Sequence, residues 1–251
     1  MRNGTLRKLS ALVALSIVTS TPANIKPVAA QGVFDMGAMT NTLSMDHVTQ
    51  SERSRAKALS RSMRSQFTKP ASGPRRATRV STTFHPSAAV RKRNYAQFVA
   101  KTRAVDPKSA ADLQHAFATQ DIIGQLGREM ARYDLRTNDV ADAMTVYLII
   151  AWYGVRGRDE DPPKPQVAAV RRQMANAIKS TPQFASATDA QKQEMAEAML
   201  IHAVLAGQAV AAAKAKPEHM TSVKAAIAQG ATTAFGFDLR RMKLTDKGLQ
   251  L

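Results

Sequence analysis

From Ser87 to Ile227 the apolar residues recur every three or four positions, the period of helices that each bury one face. Val90, Tyr95, Phe98, Val99 and Val105 form the first set. Asp106 before Pro107 reads as an N-cap followed by proline at the first helical position, opening a short helix through Leu113 and Phe117. Asp121 opens the next, with Ile122, Ile123, Leu126 and Met130 on one side, and Thr137-Asn138-Asp139 caps a helix running to about Val155. The polar stretch from Arg156 to Pro165 reads as a loop; beyond it Val167, Val170, Met174 and Ile178 give a one-sided helix. Thr188 with Gln191 is a capping-box pair for a long helix reaching Lys214, and Met220, Val223 and Ile227 mark the last.

Two of these segments lack a polar face. Ala143 to Val155 carries no charge over thirteen residues, and Ala198 to Ala213 carries none apart from His202. Helices of that kind are enclosed by protein, and thirteen residues are too few to span a bilayer. After Gly230 the pattern changes: Phe235, Phe237 and Leu239 alternate before Arg240, Arg241 and Lys243, which predicts a short extended tail laid over the helices. The expected fold class is all-α, a compact multi-helix bundle over residues 85–251 with two buried central helices.

The N-terminal third reads differently. Residues 31–84 predict a low-complexity basic linker, partly disordered, in which Ala56, Leu59, Met63 and Phe67 are spaced for an amphipathic helix over 48–67. Two prolines and a glycine between Lys69 and Pro74 end that helix, and Val80 to Phe84 is expected to be extended. Ahead of the linker, Arg2, Arg7 and Lys8 precede a short apolar run, Leu9 to Val18, and Val28-Ala29-Ala30 offers small residues for cleavage. That order predicts a signal peptide over 1–30, with the mature chain starting at Gln31. The expected location is therefore outside the cytoplasm, in a periplasm or secreted. The apolar run is about half the ~20 residues that a membrane anchor needs.

Composition narrows the chemistry. The chain has no cysteine, which excludes disulfides, thiolate catalysis and Cys-containing metal sites. Aromatics are only 5%, and the abundance of Ala and Met favours packed helices over sheet. The net charge of +17 is concentrated: residues 51–93 hold twelve Lys/Arg against Glu52 alone, whereas residues 94–251 are only mildly basic.

Four stretches carry a family resemblance: Thr83-Phe84-His85-Pro86-Ser87-Ala88-Ala89-Val90-Arg91, Asp139-Val140-Ala141-Asp142-Ala143-Met144-Thr145-Val146-Tyr147-Leu148, the segment from Trp152 to Arg158, and Leu244-Thr245-Asp246-Lys247-Gly248. Over residues 80–250 the chain resembles a family of exported proteobacterial proteins known as a domain of unknown function. The resemblance implies a signal peptide, a low-complexity linker and an Ala-rich helical domain. It brings no activity, cofactor or site residue with it.

Candidate chemistry comes down to a few groups. No two of His47, His85, His115, His202 and His219 stand three to five residues apart, so no zinc-protease pair is present. Glu197 lies five residues before His202, well round the helix, which favours a packed core histidine over a metal ligand. Asp139 and Asp142 share a helix face. They read first as capping acids near the positive helix end, and alternatively as an acid–base pair acting on a glycan. Asp159-Glu160-Asp161 reads as a solvated loop. Gly124 and Gly127 have the spacing of the KH-domain clamp, but that fold needs strands where the pattern here is helical, so no sequence-specific nucleic-acid binding is expected.

The basic stretch implies a partner. Arg53, Arg55, Lys57, Arg61, Arg64, Arg75, Arg76, Arg79, Arg91, Lys92 and Arg93 would attract envelope polyanions or an anionic membrane surface, with affinity falling as salt rises. The competing reading is a solvated linker. The expectation is a non-enzymatic binding or interaction module without cofactor, with a protein partner as a further option. The alternative is an envelope hydrolase acting on glycan or peptide through Asp139/Asp142 or His202.

Overall fold

The computed structural model describes residues 50–68 and 80–251; the expected signal peptide lies outside the described residues. Among the described residues eight α-helices follow one another: α1 (Gln50–Thr68), α2 (Ala88–Val105), α3 (Pro107–Thr119), α4 (Ile122–Ala131), α5 (Val140–Gly154), α6 (Lys164–Lys179), α7 (Asp189–Ala215) and α8 (Met220–Phe235). A two-stranded antiparallel hairpin closes the chain, β1 (Lys243–Thr245) and β2 (Gly248–Gln250), in the register Leu244 opposite Leu249. The fold class is all-α, a compact bundle.

The centre is the pair α5 and α7, which share the most extensive helix–helix contact. Asp139 caps α5, its carboxylate accepting from the Ala141 N–H at 2.8 Å. Thr188 and Gln191 form the full reciprocal capping box at the start of α7. At 27 residues α7 is about 40 Å long, the spine of the body. On the far side of α5 lies α6, its stripe of Val167, Val170, Met174 and Ile178 fully buried. α8 covers α5 and α7, while α2 and α4 pack on α7 and α3 packs on α2. Gly154 marks where α5, α7 and α8 converge: a Cβ there would stand 2.8 Å from Ile227 Cδ1 and 3.5 Å from Val210 Cγ2.

Two expectations need correction. The stretch expected to be linker is in part body. The amphipathic helix is present as α1, but its Leu59, Met63 and Phe67 are buried against α6 and the tail. Ser62 Oγ donates to the Ala177 carbonyl, and Val80 and Phe84 are also buried. A basic, Ala-poor helix looked independent because its apolar stripe is narrow; the body supplies the matching groove.

The second correction concerns the tail. Phe235 ends α8 rather than starting an extended run, and Gly236 closes the helix in the left-handed conformation at φ +72°. A single-turn 3₁₀ segment, Leu239–Arg241, follows. Phe235, Phe237 and Leu239 all point inward, so a helix cap imitates the alternation of a strand. From there the tail does lie over the bundle. Gln173 of α6 binds it as a strand would, its Oε1 accepting from Leu249 N–H and its Nε2 donating to Leu249 O, both at 2.9 Å. Gly248, at φ +97°, is required there, since a Cβ would fall 2.2 Å from Gln173 Oε1.

Candidate functional site

The carboxylates expected to pair do meet, at the N-terminus of α5. Thr82 Oγ1 donates to Asp139 Oδ2 at 2.8 Å, which ties the segment before α2 to the cap. Asp142 is fully buried; its Oδ2 accepts from the Arg136 backbone N–H at 2.9 Å and its Oδ1 from Arg171 Nε at 2.6 Å. Arg136 and Arg171 also approach Asp139 at 3.6 and 3.9 Å. Burial raises the Asp142 pKa above the usual carboxylate range, with the Asp139 charge adding to the rise and Arg136 and Arg171 opposing it. Both acids are thus engaged by donors from three directions. The arrangement is a latch joining residue 82, α5 and α6 rather than a pair facing a substrate groove.

His202 sits deep in the body, 1% exposed, with the Phe98 ring 5.2 Å away. Burial lowers its pKa to about 3, and the Lys101 charge adds to the effect, so the imidazole is neutral in any ordinary buffer. Lys101 is itself lowered to about 8 by burial, with Glu194 working against the shift. Glu197 turns away from this group. Its Oε1 accepts from Arg91 Nε at 2.8 Å and Gln193 Nε2 at 2.9 Å, and its Oε2 from Asn94 Nδ2 at 2.7 Å. Gln193 also exchanges bonds with the Ser87 backbone in both directions. This buried network between α2 and α7 went unforeseen. Its signal was present in two pairs, Arg91/Asn94 and Gln193/Glu197, each spaced to share a helix face.

The remaining candidates separate. Gly124 and Gly127 lie within α4 rather than in a loop; the Asp121 cap occupies the space a Gly124 Cβ would need, and Thr137 crowds Gly127 at 3.3 Å. In the 159–161 loop, Asp159 pairs with Lys214 and Glu160 with Arg158. Among the described residues no group of three His, Asp or Glu side chains is placed to hold a metal ion.

The cations of the basic stretch divide as well. Arg61 and Arg64 on α1, and Lys92 and Arg93 on α2, are exposed, and Arg64 also donates to the Gly236 carbonyl. Arg91 is drawn out of the set by buried Glu197. Arg53, Arg55 and Lys57 lie on α1 ahead of its described side chains, and Arg75, Arg76 and Arg79 lie outside the described residues.

No curated protein and no solved structure matches this chain at a significant level. A family model does, over residues 9–251, nearly the whole chain. The chain therefore belongs to DUF6683, a family of unknown function.

Proposed function

We propose that this is an exported, non-enzymatic binding module that attaches to phosphate-rich anionic surfaces of the cell envelope through its cationic N-terminal stretch. The observation that carries the reading is the docking of α1. Leu59, Met63 and Phe67 anchor it to the body, leaving Arg61 and Arg64 exposed, with Arg64 held at the Gly236 carbonyl. Cations on a docked helix are held in place, and a fixed array loses less conformational entropy on binding than a free linker does. The hydrolase alternative finds no such support: His202 is walled in, and Asp139 and Asp142 are occupied by Thr82, Arg136 and Arg171.

The test is co-sedimentation with phosphatidylcholine vesicles containing phosphatidylglycerol at low and at physiological salt. Binding should fall steeply with salt. Each basic residue near an anionic surface contributes about 1 kcal/mol, so Arg61→Gln with Arg64→Gln should weaken binding by about 30-fold. Binding that ignores salt, or that survives this double change intact, would refute the reading.

A further inference from the structure

The fold brings Arg61 and Arg64 of α1 beside cations from two distant parts of the chain. α1, α6 and the C-terminal hairpin pack on one another, and one side chain joins all three. Gln173 Nε2 of α6 donates to the Gln66 carbonyl of α1 at 3.3 Å and to the Leu249 carbonyl of β2 at 2.9 Å. Arg64 adds a second tie, from α1 to the Gly236 carbonyl where the tail begins.

The partners of α1 are poor in acid. α6 carries Lys164, Arg171, Arg172 and Lys179 with no Asp or Glu, and none follows before Asp189. Arg171 is spent on buried Asp142. Arg172 and Lys179 are exposed and, seven residues apart, share a face of the helix. In the tail Asp238 holds Arg240, and Asp246 in the hairpin turn offsets Lys247 beside it, which leaves Arg241 and Lys243 exposed. Among the described residues no acid lies within ion-pair distance of Arg172, Lys179, Arg241 or Lys243. The loop after α5 is the contrast: there Arg158 pairs with Glu160 and Lys214 with Asp159.

A broad face of this kind suits a flat anionic partner. α6 alone is about 24 Å long. The aromatic rings of the three elements, Phe67 and Phe237, are buried, so none is offered for stacking on the units of a linear polyanion such as a nucleic acid. A phospholipid surface asks only for cations spread across it. We propose, building on the attachment reading above, that α1, α6 and the tail form one cationic face that docks on a bilayer of anionic phospholipid. Arg172, Lys179, Arg241 and Lys243 then bind beside Arg61 and Arg64, although all four lie outside the basic stretch.

The experiment is co-sedimentation of the full chain with vesicles of phosphatidylcholine and phosphatidylglycerol, set beside its binding to long-chain polyphosphate in solution. Arg172→Gln with Lys179→Gln, and separately Arg241→Gln with Lys243→Gln, should each weaken binding to the vesicles by about 30-fold. Lys108→Gln with Arg128→Gln removes equal charge from exposed positions on α3 and α4 and should change it by less than about threefold. Surface changes of this sort leave folding intact. Parent-like binding by the α6 and tail pairs, alongside a loss in the Arg61/Arg64 pair, would overturn the wider face and leave the attachment reading standing. An equal loss in the α3–α4 pair would show that only net charge counts and would also overturn it. Binding to polyphosphate but not to the vesicles would remove the bilayer as partner, and binding to neither would remove the attachment reading too.

Discussion

Thirteen of the fifteen residues of α5 are buried, against twelve of the twenty-seven of α7, although both helices have long uncharged middles. α6, α7, α8 and the C-terminal tail surround α5. At its far end the Arg156 guanidinium stacks 3.9 Å from the Trp152 ring centre and donates to the Met242 carbonyl at 2.8 Å, fastening the tail. The α7 helix meets α2 near its start and α8 toward its end, but the flank bearing Val204, Gly207 and Gln208 stays open. Lack of charge marks a helix that does not need water. It does not tell whether protein or something else fills the other side.

Each helix also holds one buried acid, and they are held differently. Asp142 has one guanidinium and one backbone N–H; Glu197 has a guanidinium and two side-chain amides. Arg171→Ala should therefore have the largest effect, about 3–5 kcal/mol by urea unfolding, because it strands a fully buried carboxylate beside Asp139. Arg91→Ala leaves Glu197 two amide donors, and a loss of about 2 kcal/mol is expected. Equal losses at the two sites would remove the contrast.

The helices should also respond to pH with opposite signs. His202 has a folded pKa of about 3, below its ordinary 6.5. Its contribution to stability is complete above pH 6.5 and is lost as pH falls through about 3. Asp142 is raised, so its contribution is present below its ordinary 3.8 and is lost as pH rises through its folded pKa. His202→Phe should flatten the loss of stability between pH 6.5 and about 3, measured by unfolding against the parent protein at each pH. A variant whose acid profile matches the parent would show that the imidazole is not held neutral.

The smallest effects come from one substitution made in both helices. Gly154→Ala forces a Cβ against Ile227 and should cost about 1–2 kcal/mol. Gly207→Ala meets no neighbour and should stabilise the fold by up to about 1 kcal/mol. Two changes of the same sign would mean that the flank of α7 is not open.

Much of this was legible along the chain, for local reasons. The caps at Asp106, Asp121, Asp139 and Thr188 all operate as their residue types require, because an N-cap bonds to backbone within three residues of itself. The stripe of α6 and the enclosure of α5 followed from periodicity alone. The capping box of α7 is equally local.

Tertiary structure decided whatever depends on partners far away in sequence. Nothing within residues 50–68 says that α6 supplies the groove for Met63, or that Gln66 shares the Gln173 amide with the tail. Arg91 read as one cation among many until the fold brought Glu197, 106 positions later, against it. Asp139 and Asp142 read first as caps, with catalysis as the alternative, and only the fold showed Arg171 closing over them. Hydrogen bonds to neighbouring backbone are encoded where they form, whereas burial, ion pairing and empty space are properties of surfaces that only the folded chain brings together.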